Sequence, residues 1–277
     1  MASRQQTLLI TGVSSGFGRA LAQEALAAGH RVVGTVRSDQ ARHDFESLSS
    51  QAFGRVLDVT DFDAIDGVVA AIEADVGPID VLVNNAGYGH EGVMEESALA
   101  EMRRQFDVNV FGAVAMMKAV LPFMRKRRHG HILNITSMGG HITMPGITYY
   151  CGSKFALEGI SEALGKEVAS LGIAVTAVAP GSFRTDWAGR SMQRSPRTIA
   201  DYDAIFDPVR QAREEKSGKQ LGDPVKAARA MLAAIEADRP PAHLLLGSDA
   251  LQLVRSKLSA LEDEIRAWEH LTVSTDG

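Results

Sequence analysis

The stretch Thr11-Gly12-Val13-Ser14-Ser15-Gly16-Phe17-Gly18 decides which fold this chain is expected to adopt. It follows an apolar run over 7–11, which predicts a strand covered on both faces, and it opens an amphipathic helix over 16–28. The three glycines permit a tight turn, close approach of the backbone to a ligand and close packing of helix on strand. Free N–H groups at the start of such a helix attract anions, so the stretch predicts a dinucleotide site. A glycine-rich turn without a ligand is the alternative.

Short apolar runs continue to alternate with longer helical patterns along the chain. Strands are predicted over 7–11, 31–36, 55–57, 80–83, 131–135, 174–179 and 242–246. Helices are predicted over 16–28, from 61, and over 98–126, 149–171, 223–238 and 248–270. This alternation favours a parallel sheet with helices on both faces. We therefore expect an α/β fold, a Rossmann-type doubly wound parallel sheet of about seven strands.

Residues 181–222 break this rhythm. The region mixes Gly, Ser, Pro, Arg and Asp with short helical pieces, and it contains no clear strand pattern. A long irregular insertion after a strand is typical of a binding loop, so we expect a substrate lid after strand six. Residues 223–277 then form a C-terminal helix, strand and helix. The whole chain, 1–277, is interpreted as one domain.

Composition excludes several classes of protein. The net charge of −5 argues against a nucleic-acid partner, which would require a basic surface. Cys151 is the only cysteine, so no intrachain disulfide can form and a reducing compartment is expected. No uninterrupted apolar run reaches the ~18 residues needed to span a membrane, and the polar residues before Thr7 do not resemble a signal peptide. We expect a cytoplasmic protein without a membrane partner.

The end of the second predicted strand indicates which dinucleotide is favoured. An NAD site usually has an acidic residue there to bind the ribose 2′-hydroxyl. This chain has Val36 at that place, followed by Arg37 and Ser38. A guanidinium pairs well with phosphate oxygens, so NADP(H) is predicted over NAD(H). A solvated Arg37 without a ligand is the alternative.

Ser137, Tyr150 and Lys154 have the residue types of a proton-transfer site. Residues four apart on a helix share one face, so Tyr150 and Lys154 can reach the same site, whereas Tyr149 is expected to pack elsewhere. A phenol ordinarily titrates near 10, and a neighbouring ammonium is expected to lower the pKa of Tyr150. The alternatives are a core tyrosine at 150 and a simple turn-forming serine at 137.

Several motifs occur together in one order: Thr11-Gly12-x-x-x-Gly16-x-Gly18, Asn84-Asn85-Ala86-Gly87, Asn109, Ser137, Tyr150-x-x-x-Lys154 and Pro180-Gly181. With these motifs the chain resembles the short-chain dehydrogenases/reductases, in the Tyr-x-x-x-Lys branch, over about residues 7–179. Within that family it is more loosely similar to the 17β-hydroxysteroid dehydrogenase group. The resemblance implies an oxidoreductase that moves hydride between a nicotinamide cofactor and a carbonyl or secondary alcohol.

The resemblance also implies roles for the catalytic residues. Tyr150 is expected to be the general acid and base, and Ser137 to bind and orient the substrate oxygen. Lys154 is expected to hold the nicotinamide ribose as well. Asn109 corresponds to the residue that supports a water relay to the lysine, and a structural kink in the helix is its alternative role.

Further cofactor contacts follow from the resemblance. The expected cofactor-binding residues are Gly12, Ser14, Ser15, Gly16, Phe17, Gly18, Arg37, Asp58, Asn85, Ala86, Gly87, Tyr150, Lys154, Pro180, Gly181, Phe183 and Thr185. Asp58 would meet the adenine, and Asn85 to Gly87 the adenosine ribose. The residues after the sixth strand would close over the nicotinamide. Phe183 stands where Val or Ile is commoner in the family, which leaves the role of its side chain open.

The substrate pocket is expected to be apolar and no metal is predicted. Three segments, 88–93, 138–147 and 181–220, would contribute Tyr88, Met138, His141, Met144, Phe183 and Trp187. This composition suggests a hydrophobic small-molecule carbonyl or alcohol. His129 and His131 lack a convincing third ligand and are interpreted as surface residues. Asp186 and Asp201 are interpreted as solvated.

Two other functions and one assembly remain open at this stage. An epimerase or dehydratase could retain Tyr150 and Lys154 on the same scaffold. A non-enzymatic NADP(H)-responsive binding protein is the second alternative, although a complete set of catalytic residues argues against it. The resemblance further suggests a homodimer or homotetramer in which the helices over 98–126 and 149–171 pair between subunits.

Overall fold

The computed structural model describes residues 5–185, 189, 191–216 and 218–277. The β-strands are β1 (Thr7–Ile10), β2 (Arg31–Val36), β3 (Ala52–Val56), β4 (Val81–Asn84), β5 (Gly89–Glu91), β6 (Gly130–Ile135), β7 (Ile173–Pro180), β8 (Met192–Arg194) and β9 (His243–Leu246). The α-helices are α1 (Gly16–Ala27), α2 (Asp39–Glu46), α3 (Phe62–Asp75), α4 (Leu99–Phe106), α5 (Ala113–Arg127), α6 (Thr148–Val168), α7 (Asp203–Glu215), α8 (Pro224–Ile235) and α9 (Ser248–Val273). A π-helical turn (Asp107–Gly112) joins α4 to α5, and 3₁₀ turns cover Met138–Gly140, Ala169–Leu171 and Ala200–Tyr202.

Seven of the described strands form one parallel sheet in the order β3-β2-β1-β4-β6-β7-β9. β1 pairs with two neighbours, so that Leu9 lies beside Val33 on one side and Leu82 on the other. The chain builds outward from β1 to β3 and then returns to the opposite side of β1 with β4. Such a reversal opens a crevice at the carboxyl ends of the strands, where ligands bind. The predicted Rossmann-type doubly wound α/β fold is confirmed.

Each face of the sheet carries its own apolar core, because successive strand residues point to opposite sides. On one face, Leu8 and Ile10 pack with residues of α1, α2 and α8. On the other face, Leu9 packs with residues of α3 and α5. All three leucine and isoleucine side chains are fully buried. A strand covered on both faces needs an apolar residue at every position, which explains the continuous run in β1.

Several elements differ from the sequence-based prediction. α2 was not predicted, because its residues are mostly polar and Phe45 is its buried one. β5 and β8 form a separate two-stranded parallel sheet, so the region over 181–222 does contain a strand. Strands of three residues are too short to show a periodic pattern. β3 begins at Ala52, three residues before the predicted start. Helix α7 lies within the irregular region over 181–222, where only short helical pieces were expected.

The predicted long helix over 98–126 is present as a continuous helical stretch from Leu99 to Arg127, with the π-helical turn inside it. By length and composition alone this stretch could cross a membrane, with a mean hydropathy of 1.4. Met116, Val120 and Met124 of α5 are fully buried in the core beneath the sheet. The core position of these side chains accounts for the apolar composition, so the stretch is weak evidence for a membrane span.

Candidate active site

The carboxyl edge of the sheet opens into a cavity of about 1330 Å³. The wall is formed by the segments that follow β1, β2, β3, β4, β6 and β7, together with parts of α7 and α9. The predicted residues on the wall are Gly12, Ser14, Ser15, Gly16, Phe17, Arg37, Asp58, Asn85, Ala86, Gly87, Ser137, Tyr150, Lys154, Pro180, Gly181, Phe183 and Thr185. Ligand pockets commonly measure roughly 300–1,000 Å³, so this cavity has room for a dinucleotide and a second molecule.

The glycine turn after β1 is hydrogen-bonded to the segment that follows β4. Gly12 and Gly16 have φ angles of +73° and +58°, which residues with side chains rarely adopt. The Thr11 hydroxyl oxygen accepts hydrogen bonds from the backbone N–H groups of Asn85 and Ala86, both at 2.9 Å. The Asn85 amide donates to the carbonyl oxygens of Thr11 and Gly12, at 2.8 and 3.0 Å. The two segments therefore form one cradle.

The first turn of α1 presents backbone donors to this cradle. Its N-cap, Ser15, makes no side-chain capping bond within the part of the chain that the structure describes, and no acidic residue lies in the first turn. Gly18 packs tightly behind the turn, where a Cβ atom would lie 2.4 Å from the Asn85 side-chain nitrogen. Free N–H groups at the positive end of a helix dipole suit a pyrophosphate, so the cradle fits a dinucleotide.

A positively charged side chain lies on the cavity wall where β2 ends. Buried Val36 is the last residue of β2, and Arg37 follows it, exposed and on the cavity wall. Asp39, the next acidic residue, pairs with an arginine of α2 at 3.1 Å. The Asp58 carboxylate accepts hydrogen bonds from the N–H and hydroxyl of Thr60, at 3.0 and 2.8 Å. A ligand beside Val36 would therefore meet a guanidinium at this position.

Ser137 and Tyr150 stand together on the cavity wall. The Ser137 Oγ atom accepts a hydrogen bond from the Gly139 N–H at 3.0 Å, so the serine also caps the turn that follows β6. A Cβ atom on Gly139 would lie 3.4 Å from Ser137 Oγ and 3.3 Å from Tyr150 Cε1. The two side chains thus flank the same glycine. A hydroxyl and a phenol in this arrangement can address one oxygen atom of a bound molecule.

Lys154 lies behind Tyr150 on the same face of α6. Its Nζ atom is 5.7 Å from the centroid of the Tyr150 ring and donates a hydrogen bond to the Ile135 carbonyl at 2.8 Å. Burial lowers the pKa of Lys154 to about 8, although the charge of Glu158 opposes this effect. A pKa of about 8 leaves the amine mostly protonated at neutral pH. The site therefore holds a buried ammonium next to the phenol.

Asn109 lies in the π-helical turn and fastens the segment after β4 to α6. Its Oδ1 atom accepts from the Tyr88 N–H, and its Nδ2 atom donates to the Tyr88 carbonyl and the Ser153 hydroxyl, each at 3.1 Å. The Ser153 hydroxyl in turn donates to the Tyr150 carbonyl at 2.7 Å. The interpretation of Asn109 as a residue of a distorted helix is supported. Its part in a water relay stays a prediction.

The loop after β7 is anchored by the start of α9. The Gly181 N–H donates to the Leu246 carbonyl, and the Ser182 N–H donates to the Asp249 carboxylate, both at 2.8 Å. A Cβ atom on Gly181 would clash with the Asp249 carboxylate, so glycine permits this close approach. Sequence reasoning did not single out Asp249, because an acidic residue in the first turn of a helix is common.

Phe183 joins this loop to the glycine turn. Its ring packs edge-on against Phe17, with the ring centroids 5.1 Å apart. The Thr185 N–H donates to the Phe183 carbonyl at 2.8 Å, and both residues lie on the cavity wall. The aromatic side chain, whose role the sequence left open, therefore closes the cavity between the two loops.

The region over 191–216 covers the other half of the cavity and is attached by ion pairs. Glu91 of β5 is only 1% exposed, and its carboxylate lies 3.0 Å from Arg194 Nε on β8. The same carboxylate contacts the Arg213 guanidinium on α7. These contacts hold β8 and α7 against β5. Burying a carboxylate is costly unless it is paired, so the attachment is specific.

The wall below this cover is largely apolar. Tyr88, Met138, Met144, Ile147, Pro208, Val209, Ala212, Leu221 and Leu253 contribute to it. Tyr88, Met138 and Met144 were predicted by name, and Ile147, Pro208, Val209 and Ala212 lie within the predicted segments 138–147 and 181–220, whereas Leu253 of α9 was not predicted. Leu253 of α9 reaches the site only through the tertiary arrangement, and no sequence motif indicates it.

Two of the predicted residue assignments are wrong, and two further residues lie outside the part of the chain that the structure describes. His141 was expected in the pocket, but its Nε2 atom lies 3.2 Å from Glu158 Oε1 and the residue is not on the described cavity wall. His131 was interpreted as a surface residue, but it is buried beside Thr176, with 2.9 Å between Nε2 and Oγ1. The reason is its place on a central strand, which is covered on both faces. Trp187 and Asp186 lie outside the described residues.

Glu158 is a buried acidic residue that sequence reasoning missed. It lies one turn after Lys154, accepts a hydrogen bond from the Thr136 hydroxyl, and has its Oε2 atom 3.1 Å from His243 Nδ1. Burial opposes its ionisation, but hydrogen bonds from His141 and Thr136 outweigh burial and lower the pKa of Glu158. The spacing of four from Lys154 was the available signal. With two histidines nearby, this is a possible metal-ligand group, so the absence of a metal stays a prediction.

Comparison with known proteins places the chain. Residues 6–195 match the short chain dehydrogenase family. An oxidoreductase of Botryotinia fuckeliana called BOA17 is 35% identical over 96% of this chain and 97% of its own length. A 3-ketodihydrosphingosine reductase of Bacteroides thetaiotaomicron is 37% identical over 95% of this chain and 96% of its own length.

Solved structures agree with this assignment. A short-chain dehydrogenase from Streptomyces avermitilis is 40% identical, covers all of both chains and superposes with a TM-score of 0.93. More distant neighbours include ElxO with NADP, 26% identical over 90% of this chain and all of its own, with a TM-score of 0.75. Another is a 3-ketoacyl-(acyl-carrier-protein) reductase from Brucella melitensis with NADH, 25% identical over 87% of this chain and 96% of its own, with a TM-score of 0.71. The chain belongs to the short-chain dehydrogenase family and is an oxidoreductase that uses a nicotinamide cofactor.

Proposed function

We propose that this protein interconverts a carbonyl and a secondary alcohol on an apolar small molecule, with NADP(H) as the preferred cofactor. The observation that carries the proposal is that Ser137 and Tyr150 lie on the cavity wall and both flank Gly139. The Lys154 Nζ atom lies 5.7 Å from the centroid of the Tyr150 ring. Bound nicotinamide supplies or accepts the hydride in this class of reaction. The protein itself must bind the substrate oxygen and move its proton.

Each side chain has a separate task in this proposal. Tyr150 gives its phenolic proton to the carbonyl oxygen during reduction, and takes it back in the reverse direction. Ser137 donates a hydrogen bond to the same oxygen and fixes its position. The Lys154 ammonium, held by the Ile135 carbonyl at 2.8 Å, favours the phenolate that Tyr150 becomes. Asn109 holds the segment at Tyr88 against α6 through its hydrogen bonds to Tyr88 and Ser153.

The preference for NADP(H) rests on Arg37. The guanidinium is exposed on the cavity wall directly after β2, where a 2′-phosphate would gain charge-assisted hydrogen bonds. The neighbour ElxO, whose structure contains NADP, supports the proposal, whereas the Brucella neighbour contains NADH. Because solved neighbours contain either cofactor, the preference of this chain is proposed from Arg37 and not from the neighbours.

Replacing Arg37 with Ala is expected to weaken NADPH binding by roughly tenfold to a hundredfold, because a hydrogen bond to a charged group contributes about 1.5–3 kcal/mol. NADH has no 2′-phosphate, so its affinity should change little. Fluorescence titration of both cofactors measures the two effects. Arg239→Ala is a matched control, since it removes the same charge from the loop before β9, at the opposite edge of the sheet. Equal weakening of NADPH and NADH would contradict the role of Arg37.

The apolar wall supports a hydrophobic substrate. The side chains of Tyr88, Met144, Ile147, Val209 and Leu253 offer aliphatic and aromatic surface beneath the cover. The relative named as a 3-ketodihydrosphingosine reductase supports a ketone as the oxidised form of the substrate. We propose that the substrate places its carbonyl at Ser137 and its apolar part along this wall.

A panel of ketones, aldehydes and secondary alcohols of increasing apolar length tests the function. Cofactor absorbance at 340 nm, followed with NADPH and NADH in parallel, should show turnover that is faster with NADPH and that rises with apolar length. A polar series of equal size is the control. Substrate conversion without net absorbance change would instead indicate an epimerase or dehydratase. Cofactor binding without any turnover would favour a non-enzymatic binding protein.

We propose a homodimer or homotetramer built on α4, α5 and α6. Leu99 of α4, Phe111 of the π-helical turn that joins α4 to α5, and Phe155 of α6 are exposed apolar residues, 57%, 53% and 42% accessible to solvent. Exposed apolar side chains on neighbouring helices favour a subunit interface.

A cytoplasmic location is also proposed, because the single cysteine, Cys151, is buried and unpaired as expected in a reducing compartment.

A further inference from the structure

The last helix of the protein leaves the body of the fold. Ala250 and Val254 of α9 are buried, but every residue after Val254 is exposed, up to the end of the helix at Val273. We call residues 255–273 the arm. In proteins most helical stability comes from packing an amphipathic face against other structure, and within the described chain the arm packs against nothing. The arm would therefore gain stability from a partner surface.

One side of the arm carries a continuous apolar stripe. Its residues are Leu258, Leu261, Ile265 and Trp268, which are 58%, 41%, 56% and 58% exposed. Together with Leu251 and Val254 they repeat at alternating intervals of three and four residues, the spacing of a coiled-coil seam. A tryptophan that is more than half exposed on such a seam is typical of an interface that forms in the assembled protein.

The charges beside the stripe change sign along the arm. Arg255 and Lys257 lie near the body, whereas Glu262, Asp263, Glu264 and Glu269 lie farther out with Arg266. When two arms run in opposite directions, the basic end of each meets the acidic end of the other, whereas parallel arms would place Glu264 beside Glu269 of the partner subunit. The same charges disfavour a membrane surface, because helices that lie on membranes are rich in Lys and Arg.

We propose that the arm forms an antiparallel coiled coil with the arm of a second copy of this chain. Leu258 then packs against Leu261 of the partner subunit at the centre of the seam, and Leu251 against Trp268 of the partner subunit. In this register Arg255 pairs with Glu262 of the partner subunit, and Lys257 with Glu264 of the partner subunit. The interface is separate from the one proposed for α4, α5 and α6, and it does not depend on the proposed catalytic function.

Leu261→Glu places a charge in the centre of this seam and is expected to halve the mass of the assembly. Ser259→Glu is the matched control, because it adds the same charge on the outer side of the same helical turn and should leave the mass unchanged. Light scattering after size-exclusion chromatography measures both, against a chain mass of 29.7 kDa. Wild-type protein that is a monomer, or a Leu261→Glu variant of wild-type mass, would overturn the proposal.

A charge-reversal series tests the direction of pairing. Arg255→Glu with Lys257→Glu should halve the mass of the assembly, since acidic residues then face acidic residues. Adding Glu262→Lys and Glu264→Lys in the same chain should restore the wild-type mass. Swapping one pair alone, Arg255→Glu with Glu262→Lys, tests the direction, because this pair stays complementary in the antiparallel register, whereas in a parallel coil the lysine introduced at 262 would face Lys257 of the partner subunit. Loss of the wild-type mass in this variant would overturn the antiparallel register. Flotation with vesicles of neutral and anionic phospholipid completes the test: binding that Leu261→Glu abolishes, with no change of mass, would assign the arm to a membrane instead.

Discussion

Replacing Tyr150 with Phe is expected to lower kcat by roughly 100- to 10,000-fold, the range contributed by general acid–base catalysis. The variant removes a single oxygen atom from the cavity wall beside Ser137 and leaves the apolar ring in place. Affinity for the cofactor should remain within about twofold, because the glycine cradle is untouched. Single-turnover absorbance measurements separate the chemical step from cofactor binding.

Tyr149→Phe is the matched control for this experiment. The Tyr149 hydroxyl donates to the Ser97 carbonyl at 2.9 Å, and its ring stacks on His90 with centroids 5.0 Å apart. Losing that hydrogen bond is expected to cost about 1 kcal/mol of stability while kcat changes little. If Tyr150→Phe kept wild-type turnover, or if the two variants lost activity equally, Tyr150 would not be the acid and base.

Replacing Gly18 with Ala is expected to destabilise the fold by about 3 kcal/mol and to weaken cofactor binding at least about tenfold. The added Cβ atom would lie 2.4 Å from the Asn85 side-chain nitrogen and 2.4 Å from the Gly12 carbonyl oxygen. A backbone oxygen cannot rotate away, so the clash must move either α1 or the glycine turn. Either movement separates Asn85 from the carbonyls of Thr11 and Gly12 that it binds.

Gly67→Ala provides the comparison for that variant. Gly67 lies in α3 and is exposed, and a Cβ atom there would meet nothing within 4 Å. The change should be neutral or should stabilise the protein by up to about 1 kcal/mol, because Ala favours a helix more than Gly does. Urea unfolding and cofactor titration apply to both variants. A Gly18→Ala protein as stable as wild type, with unchanged cofactor affinity, would show that the cradle is not tightly packed.

The two experiments examine the two parts of the site for which the sequence was most informative. The glycine turn and the Tyr150–Lys154 pair are local features, since each lies within a few residues of one helix start or one helix face. Local spacing determines which of these side chains can meet, so both were predictable. Asn85 was predicted as a cofactor contact, but its two bonds to the glycine turn connect segments more than seventy residues apart.

The residues that were misassigned or missed depend on contacts between segments that are far apart in the sequence. His141 and His131 were placed by their neighbours in sequence, whereas their surroundings are Glu158 on α6 and Thr176 on β7. The small β5–β8 sheet joins segments about a hundred residues apart through three residues each. Neither its length nor its composition could show a pattern, because the pairing energy lies between the strands and not within them.

From the sequence alone, the alternating fold, the dinucleotide cradle and the tyrosine–lysine pair could be determined, because apolar periodicity, glycine flexibility and helical spacing act over a few residues. Only the tertiary structure showed that Glu158 lies with two histidines behind Lys154, that Asp249 anchors the loop after β7, and that the arm stands free of the body. These features depend on which distant surfaces meet. That choice is made by the packing of the whole sheet and its helices, which no short stretch of the chain contains.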